Sequence, residues 1–177
     1  MPARALVASV LISLSIATAA AQEIPRKAPP WTISTVDGTS IALSQYKGKT
    51  VLLAFILTTC PHCRMTVGYL AKDQQMYGPR GFQVLASATD SGVPSVIAPF
   101  VNEFHPPFPV GYNTDGNAIL AFLGYSRNHL PHMPILLFID RQGTIREQHE
   151  GSDEREYFNE RQEQNLQRSI EGLLAKH

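Results

Sequence analysis

The stretch Thr50-Val51-Leu52-Leu53-Ala54-Phe55-Ile56-Leu57-Thr58-Thr59-Cys60-Pro61-His62-Cys63 decides the fold. From Thr50 to Leu57 both pleat faces are apolar, which marks a central strand covered on two sides. Past Cys60, Val67, Leu70, Ala71, Gln74 and Tyr77 recur at helical spacing, and Gly78-Pro79 supplies a stop. A buried strand therefore runs straight into a helix, and Cys60 and Cys63, the chain's two cysteines, sit at the junction. The first turn of a helix carries unpaired N–H groups and partial positive charge, so a thiolate placed there is stabilised. Pro61 costs no hydrogen bond in that turn. His62 adds a donor and, when protonated, a cation, with Arg64 close behind. Cys60 is expected to be the exposed attacking sulfur and Cys63, one turn further in, the buried resolving one.

Spacing by chance is a weak explanation, since two randomly placed cysteines fall three apart in only about 1% of arrangements. A structural disulfide of this spacing closes too small a loop to stabilise much. A zinc site would want two further ligands, and there is no second cysteine pair. No prosthetic group is required for exchange chemistry. The chain has 177 residues, 44% hydrophobic and 17% charged, with 15 basic and 15 acidic side chains. That balance leaves no electrostatic footprint for nucleic acid, and the length suits one domain with a core of its own.

Outward from the dithiol, Trp31 to Val36 alternates as a strand, Asp37-Gly38 turns, and Ser40 to Leu43 returns, an N-terminal hairpin. Ahead of it, residues 22–30 read as an extended lead-in whose prolines forbid a ladder or helix. Downstream follow a strand at Phe82–Ser87 and a helix at Val93–Phe104 that Pro99 is expected to kink or break. A short strand at Phe108–Tyr112 and a helix at Asp115–Tyr125 capped by Asp115 come next. Pro134 opens a second buried strand, Ile135–Ile139, and Asp140-Arg141-Gln142-Gly143 turns into Thr144–His149. A last helix spans Glu154–Lys176, with Phe158, Leu166, Ile170 and Leu173 as its apolar stripe and its charges as a solvated face. The fold class is α/β with one central mixed sheet flanked by helices.

Residues 1–21 read as a signal peptide: a short positive start, an uncharged apolar run, and Ala19-Ala20-Ala21 as a small-residue cleavage site. A retained membrane anchor is the alternative reading of that run. Export, to the periplasm or outside the cell, would place the dithiol where an oxidised form persists.

The strand–Cys60-Pro61-His62-Cys63–helix unit, with Met133-Pro134 at the head of a distant buried strand, resembles the thioredoxin superfamily. The leader, the Trp31–Leu43 hairpin and the extra helix between strands resemble its periplasmic TlpA/ResA-like redoxin branch. The resemblance spans about residues 28–177 and implies a thioredoxin-like domain at 31–177 acting as a thiol–disulfide oxidoreductase. It further implies that Pro134 is cis and packs beside the dithiol, and that the Met133 backbone pairs with an incoming substrate chain. Partners would be protein thiols or disulfides and a redox partner protein, met by a monomer. Many relatives carry Trp before the first cysteine, where this chain has Thr58-Thr59. The Pro61-His62 pair matches the DsbA oxidases, whereas the surrounding chain looks more like the reductases. Direction therefore stays open, with reduction favoured, and no residue stands out as the buried carboxylate that relays a proton in several relatives.

Two competitors use the same residues differently. A Sco-type copper carrier would add a distant histidine to the cysteine pair, and His129 and His132 approach Pro134 in sequence. That family, however, separates its cysteines by three residues rather than two. A peroxiredoxin-type peroxidase would present Thr where Leu57 stands and Pro where Leu53 stands.

Overall fold

The computed structural model describes residues 23–93 and 95–175; the expected leader at 1–21 lies outside them. Strands β1 (Arg26–Lys27), β2 (Thr32–Thr35), β3 (Ser40–Ala42) and β4 (Thr50–Ile56) lead to helix α1 (Pro61–Tyr77). Then follow β5 (Phe82–Ala88), α2 (Ile97–Phe104), β6 (Val110–Tyr112), α3 (Gly116–Leu123), β7 (Ile135–Ile139), β8 (Thr144–Glu150) and α4 (Gln162–Leu174). Among the described residues these eight strands form one mixed sheet in the order β1-β8-β7-β4-β5-β6-β2-β3. Among the described residues no helix is long and apolar enough to cross a membrane.

Strand β4 is buried along its whole length, and its pleat divides the core. Leu52, Ala54 and Ile56 face a layer with Val67 and Leu70 of α1, Phe100 of α2, and Leu166 and Ile170 of α4. Val51, Leu53 and Phe55 face Trp31, Ile33, Ile119 and Phe122 on the other side. There Trp31, Phe55 and Phe122 meet with ring centroids 5.1–5.8 Å apart, locking the hairpin and α3 onto the sheet. The hairpin turn uses Gly38 at φ 83°, a conformation that favours glycine. Asp115 caps α3 by accepting from the Ala118 N–H at 3.0 Å, as its position predicted.

Three expectations need correction. The lead-in does form a ladder: Arg26 and Lys27 pair antiparallel with Ile145 and Thr144. Its prolines flank the paired residues on an edge strand, where no ladder donor is missing. The second helix starts at Ile97, not Val93, so Pro99 falls in its first turn and breaks nothing. The last helix starts at Gln162, not Glu154. Residues 152–161 turn instead, because Tyr157 stacks on His149 of β8 at 3.6 Å and the Asn159 side chain accepts from the Arg161 N–H at 2.8 Å. Phe158 is buried all the same, but from a turn.

The seam between α1 and α4 is more polar than an apolar stripe suggests. Gln162 donates to Thr66 Oγ1 at 2.8 Å, and the Tyr77 hydroxyl donates to Glu171 at 2.9 Å. Between them Asp73 is fully buried, with no partner at hydrogen-bond distance for either oxygen. Burial, reinforced by Glu163 and only partly offset by Gln167 and Lys72, pushes its carboxyl up from 3.8 to about 7. The folded chain thus keeps this proton up to about pH 7, whereas the unfolded chain releases it near 3.8. Stability is lost as pH rises through that window. Asp73→Asn is expected to stabilise the fold at pH 8, by up to ~4 kcal/mol, with the gain shrinking towards zero at pH 4. Urea unfolding at the two pH values checks this.

Candidate active site

Parallel pairing of β4 with β5 and antiparallel pairing of β4 with β7 bring three chain segments to one end of the sheet. These are the β4–α1 junction, the residues after β5, and the residues before β7. Cys60 is the N-cap of α1, with extended backbone (φ −74°, ψ 122°), Pro61 is the first helical residue, and the Arg64 N–H donates to the Cys60 carbonyl at 3.0 Å. Cys60 is half-buried, while Cys63 is fully buried, and both thiols are free. The helix behind them is 17 residues long, and the positive end of its dipole lies at the Cys60 position. His62 is exposed in the same turn.

The two sulfurs therefore occupy different media. Burial pushes the Cys63 thiol up to about 12, helped by Cys60 and by the charge of Asp90. The Leu57 N–H opposes this by donating to Cys63 Sγ at 3.4 Å. The Met133–Pro134 peptide is cis, as the resemblance implied, Pro134 is buried, and the Met133 carbonyl oxygen lies 4.0 Å from Cys60 Sγ. The six residues singled out from sequence, Cys60, Pro61, His62, Cys63, Met133 and Pro134, are thus gathered at one end of the sheet.

One further group, Asp90, was not singled out. The register Ile56↔Ala88 carries on past both strands, placing Asp90 opposite Thr58. The Asp90 carboxylate accepts the Thr58 N–H at 2.9 and 3.0 Å and the Thr58 hydroxyl at 2.8 Å. These bonds fasten the strand–helix turn from behind. Arg64 donates to the Thr58 carbonyl at 3.2 Å, pairs with Glu103 of α2, and lies 4.7 Å over the Phe104 ring. The signal for Asp90 was its place two residues past a strand parallel to β4, which becomes visible only once the register is known.

His129 and His132 do not reach the dithiol. Both contact the Glu150 carboxylate, at 3.1 and 3.3 Å. Among the described residues no group of three or more His, Cys, Asp or Glu side chains is arranged to hold a metal ion.

The AhpC/TSA family model matches residues 24–148. Over 138 residues the chain is 26% identical to the thiol-disulfide oxidoreductase ResA of Bacillus thuringiensis subsp. konkukian, covering 78% of this chain and 76% of that protein. ResA of Bacillus anthracis is 28% identical over 134 residues, 76% of this chain and 73% of that one. A thioredoxin-family thiol:disulfide interchange protein from Chlorobium tepidum shares the fold, with a TM-score of 0.70 at 24% identity over 88% of this chain and 100% of that one.

Asp90→Asn keeps an oxygen for the Thr58 N–H and removes the charge. The Cys63 thiol is then expected to ionise at lower pH than in the unaltered chain, read from the Cys63 Cβ resonance as pH is raised. Asp90→Ala leaves the Thr58 N–H buried without a partner and is expected to cost about 1–3 kcal/mol in urea unfolding.

Proposed function

The chain belongs to the AhpC/TSA family, and we propose that it is a thiol–disulfide oxidoreductase working on protein disulfides, with Cys60 as nucleophile and Cys63 as resolving thiol. The observation that carries this is the pairing of a half-buried Cys60 at the α1 N-terminus with the Met133 carbonyl 4.0 Å away and Cys63 buried behind it. Pro61 and His62 shape the turn that holds Cys60, and Met133 and Pro134 form the substrate-binding edge.

In the reducing direction the Cys60 thiolate attacks one sulfur of the substrate disulfide. An enzyme–substrate disulfide forms, and the other substrate sulfur leaves as a thiolate that takes up a proton. Cys63 then gives up its proton and attacks Cys60 Sγ. The second substrate sulfur is displaced, and the Cys60–Cys63 disulfide remains. The second substrate sulfur takes up the proton that Cys63 gave and the first takes one from solvent; two electrons pass from enzyme to substrate, and a redox partner protein returns them.

The order of steps follows from what holds Cys63 up. Burial leads, but the hydrogen bond and the charge of Cys60 add to it. Once Cys60 is tied up with substrate, its charge is gone and its sulfur no longer accepts the Cys63 S–H as a thiolate, so Cys63 ionises more readily at the moment it is needed. The Leu57 N–H stabilises the resulting thiolate.

Reduction is the direction we propose, in the periplasm or outside the cell. Residues 1–21, as a cleaved leader, would deliver the chain there, where substrate disulfides persist. The copper reading lacks support from His129 and His132, which are taken up by Glu150. For the peroxidase reading, Leu57 and Leu53 remain the wrong residues.

Cys63→Ser is expected to accumulate mixed disulfides with protein clients, visible on non-reducing gels and released by dithiothreitol, whereas Cys60→Ser traps none. The reverse pattern assigns the roles the other way round. Equilibration with a thiol buffer is expected to give a potential nearer thioredoxin's (about −270 mV) than DsbA's (about −120 mV); a value near the latter reverses the direction.

A further inference from the structure

The irregular segment between α3 and β7, which ends in Met133-Pro134, is anchored by the end of β8. Glu150 stands opposite Ile135, the first residue of β7. Only 12% of its side chain is exposed. Its Oε2 accepts the Tyr125 hydroxyl at 2.6 Å and contacts His129 Nε2 at 3.1 Å. Its Oε1 accepts the His132 backbone N–H at 2.6 Å and lies 3.3 Å from His132 Nδ1. Burial raises this carboxyl, but the bonds from Tyr125, His132 and His129 outweigh burial and hold it below its ordinary value, so it bonds as the anion.

The next residue completes the grip. The Gly151 N–H donates to the His132 carbonyl at 2.8 Å, and a Cβ on Gly151 would come within 2.7 Å of the Met133 carbonyl oxygen. Both hydrogen-bonding groups of the His132 backbone are therefore held by two consecutive residues. The carbonyl that follows, that of Met133, is the one facing Cys60 Sγ. A general loop anchor could attach anywhere along Gly124–Pro134. These bonds converge on the peptide next to the substrate edge.

We propose that Glu150 is a positioning residue for disulfide exchange: with Gly151 it fixes the Met133 backbone where an extended polypeptide carrying the disulfide pairs with it. The proposal rests on the reading of Cys60 and Met133 given under Proposed function. It also narrows the substrate class. What Glu150 fixes is a backbone edge, and a small disulfide has no strand to lay along it. Cys60 stands at the start of α1, and the side-chain bonds of Glu150 go to Tyr125, His129 and His132 rather than to it. Removing Glu150 should therefore separate capture of a polypeptide from the chemistry of the sulfur.

The test uses the pre-reduced full chain in single-turnover reactions with insulin, a protein disulfide, and with oxidised glutathione. Iodoacetamide alkylation of Cys60 serves as the measure of nucleophilicity. Glu150→Ala is expected to raise the half-saturating insulin concentration roughly tenfold, the worth of a charge-assisted hydrogen bond. Its rate at saturation, its rate with glutathione disulfide and its alkylation rate stay at the values of the unaltered chain. Glu150→Gln restores most of the loss, since its amide oxygen still accepts the His132 N–H. An insulin-to-glutathione ratio unchanged by Glu150→Ala overturns the proposal. So does an equal loss with both probes accompanied by a lowered melting temperature, which marks a purely structural role. Where Glu150→Ala does not fold, Tyr125→Phe decides: it removes one bond to the carboxylate, and a smaller shift in the same ratio is expected, with no shift overturning the proposal. An unaltered chain that exchanges with neither probe overturns the underlying reading instead, and is recognised by that.

Discussion

The site depends on β4 being paired on both sides. Its ladder to β5 is parallel and its ladder to β7 antiparallel, so the C-terminal end of β4 lies beside the C-terminal end of β5 and the N-terminal end of β7. The chain leaving β4 is Thr58-Thr59-Cys60, the chain leaving β5 is Thr89-Asp90, and the chain entering β7 is Met133-Pro134. A sheet of another order would scatter these segments. Because β4 is buried on both faces, it cannot slip by one residue without moving Leu53 and Phe55 into the layer filled by Ala54 and Ile56. Packing of the core and placement of the sulfurs are one constraint.

From that frame the division of labour between two chemically identical thiols follows. Cys60 caps a helix and reaches solvent; Cys63 lies one turn inside, against Leu57, in a setting that disfavours its anion. Place in the turn makes the difference: Cys60 is the cap residue just outside the helix, and Cys63 is its third helical residue, facing the core.

The strands, the dithiol and the turn chemistry were legible in sequence because each has a local cause. The apolar run of β4 shows its burial, Asp37-Gly38 shows its turn, and Asp115 shows its cap. What escaped was non-local. The lead-in expected to form no ladder and the long last helix failed for a common reason: the deciding contacts, Arg26 and Lys27 on β8 and Tyr157 on His149, join residues that no window of sequence connects. The same holds at the site. Cys60 and Cys63 declare themselves by spacing, and Met133-Pro134 was located through family resemblance. Asp90 and Glu150 declare nothing until register sets Asp90 across from Thr58 and Glu150 across from Ile135.

Those two carboxylates share a design. Each stands at or just beyond the end of a strand flanking the central pair, and each accepts a backbone N–H from a segment that carries site residues: Thr58 for Asp90, His132 for Glu150. An unpaired buried carboxylate is unfavourable, as Asp73 illustrates by holding its proton to about pH 7. With two or more donors the balance reverses, and Glu150 stays ionised despite its burial. Charge-assisted bonds are shorter and stronger than neutral ones, which suits segments that must hold a sulfur or a carbonyl in place without regular secondary structure. The cost differs on the two sides. Asp90 is close enough for Cys63 to feel its charge, so stiffness there is linked to the acidity of the resolving thiol. Stiffness at Glu150 is linked instead to the edge that receives the substrate.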